Sequence, residues 1–426
     1  MSEVSQPDPP APPSRPKLRV VEAQPVELDG QPLVALRDPA WAPDRVVLVS
    51  HAAVALVSLF DGQRDRRSLA AEFARRHGDP LEGELVDAVV AQLDEALLLD
   101  SPRYRADLEV RRAAFRGLDR RPMTMGGACF PATAEAARAE VDGFYLLEDG
   151  PGRLPEAELG AGAGARPAVD GIIAPHIDYD RGAALYGQAY LKVAEGAADA
   201  EVYVLLGTDH KGEVDAPFSL TALDFETPFG TLRTDADLVR SLCDGAPDLR
   251  DGELAHAQEH SLELQAVMLH HALGHRPDLR ILPVLCGLLT DREGRETAAR
   301  KERFEAFVES LRDLRQRRKT CFIAGADLAH LGPAFGTPPL TQAGHLSLER
   351  EDTETLDLLC RADPEAFRRN VDAGNNPRNI CGLSAIYTLL RVLEPPSGTV
   401  LGYRQCPVPG ESDGGSRVTI AAICYP

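Results

Sequence analysis

Four short apolar runs constrain this chain most: GIIAPHI from Gly171, VYVLLGTDH from Val202, LRILPVLCG from Leu279 and TCFIAGADLAHL from Thr320. Each is nearly continuous in hydrophobicity, with none of the polar alternation of a half-wet sheet, so each predicts a strand buried on both faces. Helical patterns lie between them, as in HSLELQAVMLHHALG from His260 and FEAFVESLRDLRQR from Phe304. Interleaved strands and helices predict an α/β sheet covered on both sides. The chain closes with a helix, LSAIYTLLRVL, and two strand-like pieces, TVLGYRQC and RVTIAAICY.

A length of 426 residues suits two or three domains, at about 150 residues each. Residues 1–16 are rich in Pro and Ser and are expected to stay disordered. Residues 17–110 read as a compact unit: strands LVALRDP and RVVLVS, then three helices. The first helix, HAAVALVSLFDG, is expected to close at Gly62, and the second to start at an N-cap Ser68 and end at Gly78. The third repeats Val86, Val89, Val90, Leu93 and Leu97 at helical spacing. An Arg-rich stretch, RRAAFRGLDRRP, then leads to a domain over 122–426, whose first helix is TAEAARAEVDGFYLLE. Residues 149–168 are rich in Gly, Ala and Pro and predict a flexible surface loop.

Polar residues gather just past the predicted strands: His176 with Asp178, Asp209 with His210, Asp327 with His330. Open α/β sheets bind ligands beyond the carboxyl ends of their strands, so three such coincidences point to one crevice. A helix N-terminus adds Glu259, His260 and Glu263 on adjoining faces. His270 and His271 near its other end suit the helix dipole and read as structural. The eight cysteines are scattered without CxxC pairs, and most, bordered by apolar residues, read as small core residues of a reducing compartment. One stands apart: Cys381 precedes the helix of LSAIYTLLRVL, where a dipole favours a thiolate. Two imidazoles and a thiolate suit copper, iron or zinc.

At these residues the chain resembles the Memo family, called AmmeMemoRadiSam system protein B in bacteria. The matching pieces are GGACFPA, IIAPHIDY, VLLGTDHKG, TPFGTLRTD, EHSLELQ, ILPVLCG, GADLAH and ICG, in order from about Met125 onward. The resemblance implies a fold like the class III extradiol dioxygenases. It also implies a metal held by His176, His210 and Cys381, with iron or copper favoured and zinc as a further candidate. His260, Asp327 and His330 match pocket positions, with an implied role in hydrogen bonding to the ligands or in proton transfer. Asp178 and Asp209 depart from the family pattern. They are expected to add carboxylates near the metal, favouring a harder ion such as Fe(II) or altering the substrate mouth. Residues 17–110, ending in ALLLDS, are similar to the PqqD-like winged-helix modules. That similarity implies a grip on a peptide or on a radical-SAM partner protein.

The formal charge of −20 repels phosphate backbones and argues against nucleic acid as a partner. No apolar run approaches the ~18 residues of a membrane span, and MSEVSQPDPP has no apolar signal region, so a cytoplasmic location is expected. The leading expectation is a metal-dependent oxidoreductase acting on a small or peptidic substrate. A non-enzymatic metal carrier or peptide-binding adaptor is the second. A zinc hydrolase with Glu259 or Asp327 as general base is the third.

Overall fold

The computed structural model describes residues 11–38, 42–78, 80–155, 168–211, 216–291, 294–411 and 415–426. The chain divides into two compact units between Gly117 and Leu118. Most of the stretch expected to be disordered, and residues 156–167 of the expected loop, lie outside the described residues. Pro16, at the end of that first stretch, is buried and accepts a hydrogen bond from Gly62 N at 2.9 Å.

The first unit opens with an antiparallel sheet of β1 (Glu22–Leu28), β2 (Gln31–Asp38) and β3 (Ala42–Val49). The sequence reading missed β1, because nearly all of EAQPVEL faces solvent and shows no apolar pattern. Four helices follow: α1 (His51–Val57), α2 (Arg66–His77), α3 (Gly83–Glu95) and α4 (Pro102–Arg116). Asp65, rather than Ser68, caps α2, its carboxylate accepting from Ser68 N at 2.8 Å. Gly78 ends α2 in the left-handed conformation, as expected. Helix α1 stops at Ser58, before Gly62, and the first half of the Arg-rich stretch is helical as the end of α4. Val86, Val90, Leu93 and Leu69 form the centre of this unit's core.

The second unit begins with β4 (Arg120–Arg121), α5 (Ala134–Leu146), β5 (Gly171–Ala174), α6 (Tyr179–Gly196) and β6 (Val202–Thr208). Three short strands the sequence did not reveal come next: β7 (Phe218–Leu220), β8 (Asp224–Thr227) and β9 (Gly230–Leu232). Then follow α7 (Ala236–Gly245), α8 (His260–Leu273), β10 (Ile281–Cys286), α9 (Ala298–Arg317), β11 (Thr320–Gly325) and β12 (His330–Leu331). The chain ends with α10 (Gln342–Cys360), α11 (Pro364–Asp372), α12 (Leu383–Leu393), β13 (Thr399–Pro407) and β14 (Arg417–Tyr425).

The main sheet has eight strands in the order β12-β14-β5-β11-β6-β10-β7, with β13 on the open side of β14. Its centre, β5-β11-β6-β10, is parallel, and these are the four runs that the sequence marks as buried strands. Apolar side chains of α5, α6 and α8 fill one face, and those of α9, α11 and α12 the other. The unit is therefore a mixed α/β sheet flanked by helices on both faces, as the sequence predicts. Among the described residues no helix is long and apolar enough to cross a membrane.

Two glycines bring α8 onto the strand ends. A Cβ at Gly207 would lie 2.6 Å from Ser261 Oγ, and one at Gly325 would lie 2.7 Å from Ser261 O. Both are closer than packed atoms tolerate, so the first turn of α8 can sit there only over bare backbone. Gly325→Ala is expected to cost about 1–3 kcal/mol as overpacking. Urea denaturation should show a lower midpoint with an unchanged slope.

Candidate metal centre

Strand register decides what meets at the sheet's edge. Ala174 on β5 lies opposite Gly325 on β11, and Leu206 on β6 opposite Ala324. His176, Asp327 and His210 therefore leave neighbouring strands at one level, with Asp327 from the middle one. Helix α8 points its N-terminus at the same place and adds Glu259 as its cap and His260 as its first residue.

The imidazoles of His176, His210 and His260 each offer a nitrogen, and these three atoms lie within 4.8 Å of one another. Such a cluster could hold a metal ion. His176 is buried, whereas His210 and His260 keep 32% and 37% of their side chains exposed, so one side of the cluster faces solvent. His176 Nδ1 lies 2.9 Å from Gly325 O and must carry the proton of that bond, leaving Nε2 bare. His210 Nδ1 donates to Glu259 Oε1 at 2.9 Å, with His260 Nδ1 at 3.3 Å from the same oxygen. Outer nitrogens fixed by a carbonyl and a carboxylate are the arrangement that turns bare nitrogens toward a cation. The donor set therefore fits a transition ion.

Electrostatics carry the same sense. Burial, then the charge of His210, pull His176 down to about 3. Burial and His176 pull His260 down to about 4. At His210 burial opposes the proton, but the hydrogen bond and charge of Glu259 outweigh it and raise the group. Glu259 is itself buried, yet His210 holds it well below the usual carboxylate range. Imidazoles that repel one another's protons share a place for a cation they would bind jointly.

The other sequence candidates fall unevenly around the cluster. Cys381 Sγ is 3.2 Å from His176 Nε2 and 4.0 Å from Asp327 O, so the thiol touches one of the three imidazoles. Burial and the charge of Asp327 raise it well above its ordinary value, against the thiolate expected from the helix dipole. Gly382 caps α12 without any side-chain bond, and desolvation outweighs that dipole. Asp327 Oδ1 accepts from His176 N at 2.7 Å and Ile177 N at 3.2 Å, so it fixes the turn carrying His176. Burial raises Asp327, opposed by the charge of His330. His330 Nδ1 lies 3.1 Å from Leu328 O; burial lowers the ring, opposed by the charge of Asp327.

One expectation is corrected: Asp178 is not a site carboxylate, because it caps α6 through Arg181 N at 3.1 Å and pairs with the Arg181 guanidinium. Asp209 accepts from Lys211 N at 3.0 Å, and its charge is among those that raise His210. The centre is thus built of imidazoles beside a thiol, with the Glu259 and Asp327 carboxylates next to them. Glu263 also points away from it, to the fully buried Arg121.

Arg121 is the residue that sequence reasoning missed. Its guanidinium pairs with Glu263 at 2.7 Å and donates to His256 O at 2.6 Å and Glu259 O at 3.0 Å. It braces the backbone that presents Glu259 and His260. The only sequence signal was an arginine in a run read as a connector.

Burial of neutral histidines makes the metal-free protein sensitive to acid. His176 and His256 are both held near 3, against about 6.5 in an unfolded chain. The unfolded state therefore takes up their protons first. Stability is full above about pH 6.5 and is lost as pH falls toward the folded values. Denaturation of the chelated protein at about pH 7.5 and about pH 5.5 should differ by roughly 1 kcal/mol for each of these two histidines. Equal stabilities at the two pH values would contradict their neutral burial.

Comparison with known proteins bears on the same residues. The family model described as Memo-like protein matches residues 121–423. A MEMO1 family protein of Aquifex aeolicus is 26% identical over 415 residues, covering 96% of this chain and all of that one. Another, from Thermus thermophilus, is 28% identical over 80% of this chain and 94% of its own length. A third, from Methanopyrus kandleri, is 26% identical over 67% of this chain and 92% of its own.

Proposed function

The chain belongs to the Memo-like family, and on that premise we propose that it is a non-haem metal-dependent redox protein that takes iron or copper. His176, His210 and His260 hold the ion, with Cys381 as the donor beside them. The observation that carries this reading is the convergence of three imidazoles with a solvent-facing side. A bound iron or copper ion supplies Lewis acidity and one-electron exchange.

The chain's own residues do the rest. Glu259 and the Gly325 carbonyl orient the rings of His210 and His176. Asp327 fixes the His176 turn through two backbone N–H groups. His330 Nε2 takes or returns a proton at the rim, and a small or peptidic substrate enters beside His210 and His260, the exposed members. Fe(II)-loaded or Cu(I)-loaded protein is expected to consume dioxygen at least about tenfold faster than a His210→Ala variant, a difference of about 1.4 kcal/mol in barrier. Equal rates overturn the redox reading.

A second reading, a metal carrier or peptide-binding adaptor, is favoured by the first unit, which forms a compact body with its own core. In that reading residues 17–110 grip a peptide or a radical-SAM partner. Deletion of residues 1–117 should then abolish partner capture while metal binding persists, and unchanged capture sinks the idea.

A further inference from the structure

The loop between α11 and α12, residues 373–382, passes beside His330 and brings Cys381 to 3.2 Å from His176 Nε2. Its backbone is costly to hold. Asn375, Asn376 and Asn379 all take positive φ, of 65°, 51° and 50°, a conformation unfavourable to any residue with a Cβ. Such a loop keeps one shape only where its surroundings over-determine it. Part of the hold is local: Asn376 accepts from Ile380 N at 2.9 Å and donates to Ile380 O at 3.1 Å. Those two bonds shape the loop without tying it to the elements around it.

Arg378, three residues before the thiol, makes that tie. Only 7% of its side chain is exposed, and its guanidinium donates to Asp352 Oδ1 at 2.8 Å, Thr355 Oγ1 at 3.0 Å and Asn370 Oδ1 at 2.7 Å. Asp352 and Thr355 are fully buried on α10, and Asn370 belongs to α11. The other Asp352 oxygen accepts from the Tyr403 hydroxyl of β13 at 2.9 Å. From the same residue the backbone reaches the site. Arg378 O accepts from His330 N at 2.8 Å, and Asn379 Nδ2 donates to His330 O at 3.1 Å. Just past Cys381 the chain is pressed onto the Asp327 backbone, where a Cβ on Gly382 would lie 2.6 Å from Asp327 O.

We infer that Arg378 is a positioning residue of the metal centre: by clamping this loop to α10 and α11, it sets where Cys381 and His330 stand against the histidines. Well-packed apolar residues in its place would stabilise the fold as well as a buried ion pair does. They would leave the left-handed turns free to relax. A guanidinium fixes direction as well as distance, because acceptors on two helices constrain its plane. Its importance to function rests on the metal-centre reading, whereas the placement of the thiol is testable with no metal present.

The test is alkylation of the metal-free full-length protein with iodoacetamide at one pH, each cysteine being followed by peptide mass spectrometry. Cys286 and Cys321, buried in β10 and β11, are internal controls, since only global opening exposes them. In Arg378→Met, Cys381 is expected to label at least about tenfold faster than in the wild type, with both controls unmoved. Arg378→Lys keeps the charge and carries the same comparison should the methionine variant not fold. An ammonium on a flexible stem does not fix a plane, so its Cys381 should label at a rate between the other two. Fe(II) affinity should fall in the same order, by at least about tenfold in Arg378→Met. Cys381 labelling at the wild-type rate in both variants, or controls that rise in step with it, would overturn the inference. Faster labelling with unchanged Fe(II) affinity would equally overturn the role at the metal. A wild-type protein that binds no metal sinks the metal-centre reading and leaves the labelling result standing.

Discussion

Arg121→Met is expected to lower the unfolding free energy of the second unit by about 3–5 kcal/mol, the usual result of removing one partner of a buried ion pair. The Arg121 and Glu263 side chains are 0% and 1% exposed. Without the guanidinium, Glu263 keeps, among the described residues, the Thr124 hydroxyl and the N–H groups of Thr124 and Met125. The carbonyls of His256 and Glu259 lose a charged donor at the same stroke. Replacing both partners by apolar residues should recover much of the loss, because no charge is then stranded. Urea denaturation of the single and double variants makes the comparison. A single-variant loss under about 1 kcal/mol would mean that water reaches Glu263.

Glu259→Gln is expected to weaken metal binding about 10–100-fold, the typical effect of losing a carboxylate behind a histidine ligand. The carboxylate is buried and accepts from His210 Nδ1 and, at 3.2 Å and 3.1 Å, from His210 N and Ser261 N. An amide keeps the shape but removes the charge that holds the His210 proton on Nδ1. Competition with a chromophoric chelator measures the change. Unaltered affinity would show that Glu259 does not orient a ligand.

Much of this was legible in the sequence, for identifiable reasons. The central strands are apolar on both faces, so GIIA, VYVLLGT, ILPVLC and TCFIAG announced themselves. A His or Asp past each of three runs marked the crevice, because side chains beyond parallel strand ends share one edge. What stayed hidden depends on contacts distant in sequence. Arg121 meets Glu263 across more than a hundred residues, and no periodicity records that pairing. Asp178 looked like a site carboxylate, but its N–H acceptor geometry at α6 and the neighbouring Arg181 claim it first. The dipole argument for Cys381 was sound locally and was outweighed by burial beside Asp327. His260, expected to stand behind the ligands, is placed level with His176 and His210 by the close seating of α8 on Gly207 and Gly325.

The central claim is that His176, His210 and His260 jointly hold a transition ion. Anaerobic purification followed by mass-spectrometric metal analysis tests it, with His176→Ala, His210→Ala, His260→Ala and Cys381→Ser treated alike. One iron or copper ion per chain, lost in each histidine variant, is the predicted result. Cys381→Ser then tells whether the thiol is a fourth donor. A wild-type protein that holds no stoichiometric metal after exposure to Fe(II), Cu and Zn, or metal fully retained when the histidines are removed, would contradict the claim.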